Sequence, residues 1–259
     1  MKKVDLNCDL GESFGNYKLG VDEQILPLIT SANIACGFHA SDPVVMSRTV
    51  KMAAESGVAA GAHPGYQDLV GFGRRNMNVV PAEVTDIVMY QIGALEAFCR
   101  ANGIAMQHVK PHGAMYNMAE KDDKLAEAIC RGIRAVNPDL ILLGPGSGKM
   151  VKAAKALGLK TAGEVFADRA YMEDGTLVPR SQEGAMITDE EEAVARVLEM
   201  VQKGTVTAIT GKKIEVQADS ICVHGDGQKA LLFVQKIRSE LEKAGVVIAP
   251  MKEVIVGES

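Results

Sequence analysis

The stretch Val4-Asp5-Leu6-Asn7-Cys8-Asp9-Leu10-Gly11-Glu12 alternates apolar with polar side chains and then meets a glycine. Successive side chains of an extended strand point to opposite faces, so Asp5, Asn7 and Asp9 share one face and Val4, Leu6, Cys8 and Leu10 the other. An apolar outside and a polar inside suit a barrel whose lumen carries chemistry. The same kind of ending recurs downstream. Four of the five histidines follow apolar runs and sit beside Gly, Ala or Pro, in Cys36-Gly37-Phe38-His39-Ala40, Ala62-His63-Pro64, Lys110-Pro111-His112-Gly113 and Val223-His224-Gly225-Asp226. Glu164-Val165-Phe166-Ala167-Asp168-Arg169 delivers charge in the same way.

Seven short branched runs are strand candidates: Val4 to Asp9, Asn33 to Phe38, Val58 to His63, Gln107 to Lys110, Leu140 to Leu143, Thr161 to Phe166 and Ser220 to His224. Helical periodicity fills the gaps. Val84, Ile87, Val88, Leu95, Phe98 and Cys99 form a stripe between Pro81 and Gly103, and Leu125, Ile129, Ile133 and Val136 form another. Thr188-Asp189-Glu190-Glu191 reads as a capping box ahead of Val194, Val197, Leu198 and Val201. Strand and helix in alternation predict parallel strands with right-handed crossovers, in an open doubly wound sheet or a closed barrel. An open sheet gathers its polar groups at one switch point, whereas here at least six strand ends carry His, Asp, Glu or Lys, which favours closure. The expectation is one barrel domain over residues 1–259. A β-hairpin is inserted around 205–217, where Thr205 to Thr210 and Lys213 to Gln217 alternate about Gly211. Gly65 to Val80 and Ala170 to Ile187 are long enough to act as lids.

With 259 residues, 47% hydrophobic, 24% charged and a net charge of -5 without a basic block, the chain has the composition of a globular domain with a small-molecule partner. Absence of tryptophan and 4% aromatics argue against stacking on single-stranded nucleic acid. Neither a secretion signal nor a run of roughly 18 apolar residues is present, so a cytoplasmic protein away from membranes is expected. The five scattered cysteines lack a C-x-x-C pair and read as core thiols.

Asn7, Asp9 and Glu12 offer oxygen ligands or bases at the first strand end, and His39 and His63 add imidazoles from the next two. A divalent metal on Asp9, His39 and His63 is one reading; a metal-free hydrogen-bonded cluster is the other. Lys110 and His112 flank Pro111, and a lysine in such a mouth binds carboxylate or phosphate. His108, at the start of that strand, reads as structural. Arg169 either grips a carboxylate or pairs with Asp168. His224 and Asp226, separated by Gly225, suit a general base and its orienting acid. Gly71-Phe72-Gly73-Arg74-Arg75 is a basic loop able to close over an anion or to serve an inter-subunit contact. Gly144-Pro145-Gly146-Ser147-Gly148-Lys149-Met150 is no Walker A loop, because Leu143 stands at the first glycine position and Met150 at the Ser/Thr position.

These segments together resemble the LamB/YcsF family, the A subunits of bacterial 5-oxoprolinases, once described as lactam utilisation proteins. The resemblance runs nearly end to end and rests on residues 5–12, 33–39, 61–64, 71–75, 109–114, 164–169 and 222–226. Two small departures are Ser41 and Gly65, where the family usually has glycine and serine. The resemblance implies a (β/α)7 barrel akin to the glycoside hydrolase/deacetylase superfamily. It also implies ATP-dependent opening of 5-oxoproline to L-glutamate, with Mg2+-ATP as cosubstrate, partner subunits B and C, and a homo-oligomer as a further option. On that footing Asp9, His39, His63, Lys110, His112, His224 and Asp226 are expected to be catalytic, and Asn7, Glu12, Arg74, Arg75, Glu164, Asp168 and Arg169 to bind substrate. The competing readings are a metal-dependent deacetylase or amidohydrolase acting alone and a non-catalytic substrate-binding subunit.

Overall fold

The structure, a computed structural model, describes residues 1–223 and 228–256. Seven parallel strands close into a ring: β1 (Lys3–Leu10), β2 (Ser31–Ala35), β3 (Ala59–His63), β4 (His108–Val109), β5 (Ile141–Gly144), β6 (Lys160–Phe166) and, beyond an antiparallel hairpin of β7 (Thr205–Thr207) and β8 (Lys213–Glu215), β9 (Ser220–Val223). β9 completes the ring by pairing with both β6 and β1. The closed barrel and the inserted hairpin are therefore as expected from sequence. A further parallel strand, β10 (Val247–Ile248), lies outside the ring against the start of β1. It is too short to show a periodicity.

The strand ends differ from the sequence reading where the backbone turns. β2 stops at Ala35 instead of Phe38, because Gly37 takes φ +92° and donates its N–H to the Ala40 carbonyl. His39 thus comes from a turn. β4 keeps only two paired residues, since Pro111 has no N–H to continue the ladder.

Helices α1 (Asp22–Ile25), α2 (Pro43–Glu55), α3 (Pro81–Ala101), α4 (Gly113–Ala119), α5 (Asp123–Val136), α6 (Lys149–Ala156), α7 (Glu190–Lys203), α8 (Gln228–Lys243) and α9 (Met251–Ile255) account for the crossovers and the C-terminal end. No helix of the described residues is long and apolar enough to cross a membrane. The capping box at α7 sits one residue later than its motif suggested: the Asp189 carboxylate, not Thr188, accepts from the Glu192 N–H. The glycine-rich loop before α6 is closed from within. Glu120 accepts from the Lys149 and Met150 N–H groups at 2.8 and 3.2 Å, so the helix N-terminus already holds a carboxylate.

Outward residues of β1 and β2, such as Leu6, Leu10 and Ile34, pack with Val50, Val88, Ile129, Val197 and Val234 in one continuous core. Each such side chain contributes about 1.5–3 kcal/mol on burial. Inside the ring two halves differ. Ile141, Leu143 and Ala162 meet Met251 of α9 in a small apolar plug. Across from it the lumen is polar: Asp5 accepts from Thr30 and Ser31 hydroxyls at 2.7 and 2.6 Å and from Ser220, and Asn33 donates to both Asn7 and Asp9 at 2.8 Å. The His108 ring lies within 2.7 Å of the Asn33 side chain and occupies the space that a side chain at Gly61 would fill. A satisfied structural histidine is what its position had suggested.

Candidate active site

The ends of β1, β2, β3 and β4 bring Asp9, Glu12, His39, His63, Lys110 and His112 together. The His63 Nδ1 lies 2.6 Å from the Lys110 carbonyl, and the His112 Nε2 lies 2.8 Å from the Phe72 carbonyl. A carbonyl only accepts, so each of these nitrogens carries a hydrogen. In neutral rings the two remaining nitrogens are bare lone pairs, yet the His63 Nε2 and His112 Nδ1 face each other at 2.9 Å. That contact requires positive charge, either one shared proton or a metal ion. Around it stand Asp9 Oδ2, 3.3 Å from the His63 Nε2, and Glu12 Oε1, 3.3 Å from the His39 Nε2 and 3.8 Å from the His112 Nδ1.

Glu12, His39, His63 and His112 each offer a ligand atom within 4.8 Å of the others. His63 and His112 have the outer carbonyl partners that metal-bound histidines use to fix ring orientation. His39 does not: its Nδ1 is buried without a partner among the described residues, and its ring is held by stacking on His112 at 3.7 Å and 3°. The donor set, imidazole nitrogens with one carboxylate, fits a divalent metal of the zinc type. Compared with the expected metal set, Glu12 and His112 join His39 and His63, while Asp9 lies alongside, between His63 and Lys110.

Burial keeps three of the imidazoles neutral. It drives His112 and His108 down to about 3 and His39 well below its usual value, with neighbouring positive charges adding to the effect. Burial would raise the Asp9 carboxyl, but the charges of His63 and Lys110 outweigh it and hold the group well below the carboxylate range. Lys110 is likewise disfavoured by burial and rescued by Asp9, Cys222 and Glu164, which hold it well above the usual ammonium value. Its Nζ lies 3.0 Å from Asp9 Oδ1, 2.8 Å from Glu164 Oε1 and 3.3 Å from the Cys222 thiol. Tyr116, on the first turns of α4, donates to the other oxygen of Glu164 at 3.0 Å.

Exposure separates the groups a ligand can touch from those acting behind them. The Asp9 and Glu12 side chains are 21% and 14% exposed, whereas Lys110 and Glu164 are 4% and 0%. Asn7 is fully buried, donating to Ser220 at 2.7 Å. Asn7 and Glu164 thus lie buried in the lumen behind Asp9 and Lys110, each in contact with the Lys110 ammonium. Asn33, Tyr116, Phe72 and Cys222 belong to the site without having stood out as functional in the sequence. Only Asn33 left a readable sign there, since strand pairing aligns it with Asp9.

The segment after β3 covers the imidazoles. Asp68 accepts from the Gly71 N–H and the Arg75 Nε at 3.0 and 2.9 Å, and Phe72 and Gly73 take φ +53° and +63°, which turns the Phe72 carbonyl onto His112. Arg75 is the staple of its own loop. Arg74 instead lies over the Phe72 ring, 5.0 Å from its centroid. Beyond β6, Arg169 is buried and donates to the Val178 carbonyl at 2.7 Å, and the half-buried Asp168 receives the Ile187 N–H on its backbone carbonyl. His224 and Asp226 lie outside the described residues.

Known proteins with this architecture carry names that bear on its chemistry. The chain is 65% identical over 254 residues to the 5-oxoprolinase A subunit of Clostridium beijerinckii, covering 98% of this chain and 100% of that one. It is 56% identical over 253 residues to the 5-oxoprolinase A subunit of Bacillus subtilis, with 98% of each chain covered. The crystal structure of a lactam utilization protein from Thermus thermophilus superimposes with a TM-score of 0.90 at 46% identity, over 95% of this chain and 99% of that one. A putative cellobiose-phosphate cleavage protein from Enterococcus faecalis shares the fold at a TM-score of 0.58 and 15% identity, covering 98% and 99%. Residues 4–256 match the LamB/YcsF family, and the chain belongs to it.

Proposed function

We propose that this chain is the A subunit of a 5-oxoprolinase and that the mouth formed by Asp9, Glu12, His39, His63, Lys110 and His112 opens the lactam of 5-oxo-L-proline to L-glutamate. One observation carries the reading: two imidazoles present facing lone pairs at 2.9 Å beside two accessible carboxylates, in a chain 65% identical to a protein named for that activity. An unactivated lactam resists water, so ATP is the cosubstrate that drives the reaction, with Mg2+ and with partner subunits B and C in the assembly. Its γ-phosphoryl group goes to the lactam oxygen with ADP as the leaving group, which makes the former carbonyl carbon more electrophilic. Water then adds to the same carbon as a carboxylate takes its proton, the ring C–N bond breaks, and the nitrogen leaves protonated. A second water releases phosphate from the resulting acyl phosphate and leaves glutamate.

In this chain Asp9 and Glu12 are the groups placed to take the proton of the attacking water, and Lys110 keeps Asp9 ionised for that role. A divalent metal held by Glu12, His39, His63 and His112 would supply Lewis-acid polarisation at the same place. The experiment is glutamate and phosphate release by the reconstituted assembly carrying Asp9→Asn or Glu12→Gln. A loss of about 10²–10⁴-fold is expected for proton-transfer groups, and near wild-type rates in both variants would defeat the assignment.

The Glu12 and histidine donor set also favours a second reading, a metal-dependent amidohydrolase or deacetylase acting alone. Turnover by the isolated chain without ATP, abolished by chelation and restored by metal, would select it.

A further inference from the structure

The floor of the mouth is acidic where it is accessible, through Asp9 and Glu12, while 5-oxoproline bears its own carboxylate. An anionic ligand approaching such a floor needs a cation at the rim to orient it. Three cations of the region are buried or held by other groups among the described residues: Lys110 is buried between Asp9 and Glu164, Arg75 is fastened to Asp68, and Arg169 is buried with one nitrogen on the Val178 carbonyl. Arg74 is exposed and has no carboxylate partner among the described residues. Its guanidinium rests on the Phe72 ring at 5.0 Å, and Phe72 packs edge-on against both His39 and His112, at 5.7 and 5.4 Å between centroids. A Cβ at Gly113 would stand 2.7 Å from the Gly73 carbonyl oxygen, so the glycine that opens α4 lets the backbone just before Arg74 pack closely against it.

We propose that Arg74, seated on Phe72, is the carboxylate-binding subsite of the mouth, selecting ring-closed amino acids that keep a free α-carboxylate and turning their amide toward Asp9 and Glu12. The inference rests on the lactam-opening reading of the same site. A planar guanidinium presents paired donors that match a carboxylate, and an aromatic face beneath it holds the plane in place while leaving its edge open.

The test compares 5-oxoproline with its uncharged analogue 5-oxoprolinamide, as substrate or as competitive inhibitor, in the reconstituted assembly. With Arg74→Gln, the KM for 5-oxoproline is expected to rise about 10- to 100-fold, as for loss of a charge-assisted contact, while the inhibition constant or KM of the amide changes less than about threefold. Arg74→Lys should recover part of the loss. Arg75→Gln should lower the melting temperature and weaken both compounds by the same factor. If Arg74→Gln weakens both compounds equally, or neither, Arg74 is not the subsite. If the wild-type assembly fails to turn over 5-oxoproline, the lactam reading itself falls, and the subsite with it.

Discussion

His63 and His112 show how much of the site depends on single atoms. Each gives its outer N–H to a backbone carbonyl, and only that choice makes their inner nitrogens converge. A bound divalent metal would stabilise the folded chain by mass action, about 4 kcal/mol at a thousandfold excess over the dissociation constant. Added zinc or manganese is expected to raise the melting temperature of the wild-type chain and to leave that of His112→Ala unmoved, which differential scanning fluorimetry would read. Ser41 shows the opposite economy. It is buried at φ +74°, a conformation that disfavours any residue with a Cβ. Ser41→Gly should therefore stabilise the chain by up to about 1 kcal/mol after the entropy of the unfolded glycine is counted, seen as a higher urea midpoint. The identities of the acids and imidazoles could be read from strand parity and their placement at strand ends. The stacking of His39 on His112 could not, because it depends on a turn at Gly37 and on the stagger between neighbouring strands.

The segment from Pro64 to Val80 is the element that converts strand ends into a closed pocket wall. The Asp68 carboxylate holds it by four bonds within the loop, and the Ala114 N–H reaches the Gly73 carbonyl at 2.8 Å. Asp68→Ala should raise amide hydrogen exchange across residues 68–75 by about 10- to 100-fold, the equivalent of losing one or two charge-assisted bonds. It should also weaken metal binding by loosening the Phe72 carbonyl from His112. Exchange unchanged in that segment would contradict the staple. Its length and its Gly and Arg content marked it as a covering segment in the sequence. Which of its two arginines staples the loop and which lies on the Phe72 ring was not legible there, since the answer lies in the positive φ angles of Phe72 and Gly73. Residue types alone exclude a Walker loop before α6, with Leu143 and Met150 at two of its defining positions. The real occupant there, Glu120, comes from the end of a different helix and left no local sign.

Across the molecule, the barrel carries a polar line from Asp5 at the far end to Asp9 at the mouth, through Ser220, Asn7 and Asn33. Alternation along β1 foretold that line, and the number of chemically loaded strand ends foretold closure; β10 and the apolar plug around Met251 depend on where the last short elements dock. Burial raises the Asp5 carboxyl from 3.8 to about 6, so the folded state prefers it protonated. Its contribution, about 3 kcal/mol by linkage, is fully present below pH 3.8 and is lost as the pH rises through about 6. The stability difference between wild type and Asp5→Asn, measured by urea unfolding from pH 4 to pH 7, should fall across that window. A difference independent of pH would remove Asp5 as the cause. Whether the β1 to β4 ends form one ligand site is tested most directly by a crystal structure of the assembly with 5-oxoproline or a non-hydrolysable analogue. The amide is expected over Asp9 and Glu12 and the carboxylate on Arg74; ligand density elsewhere, with the mouth holding only solvent, would contradict a shared site.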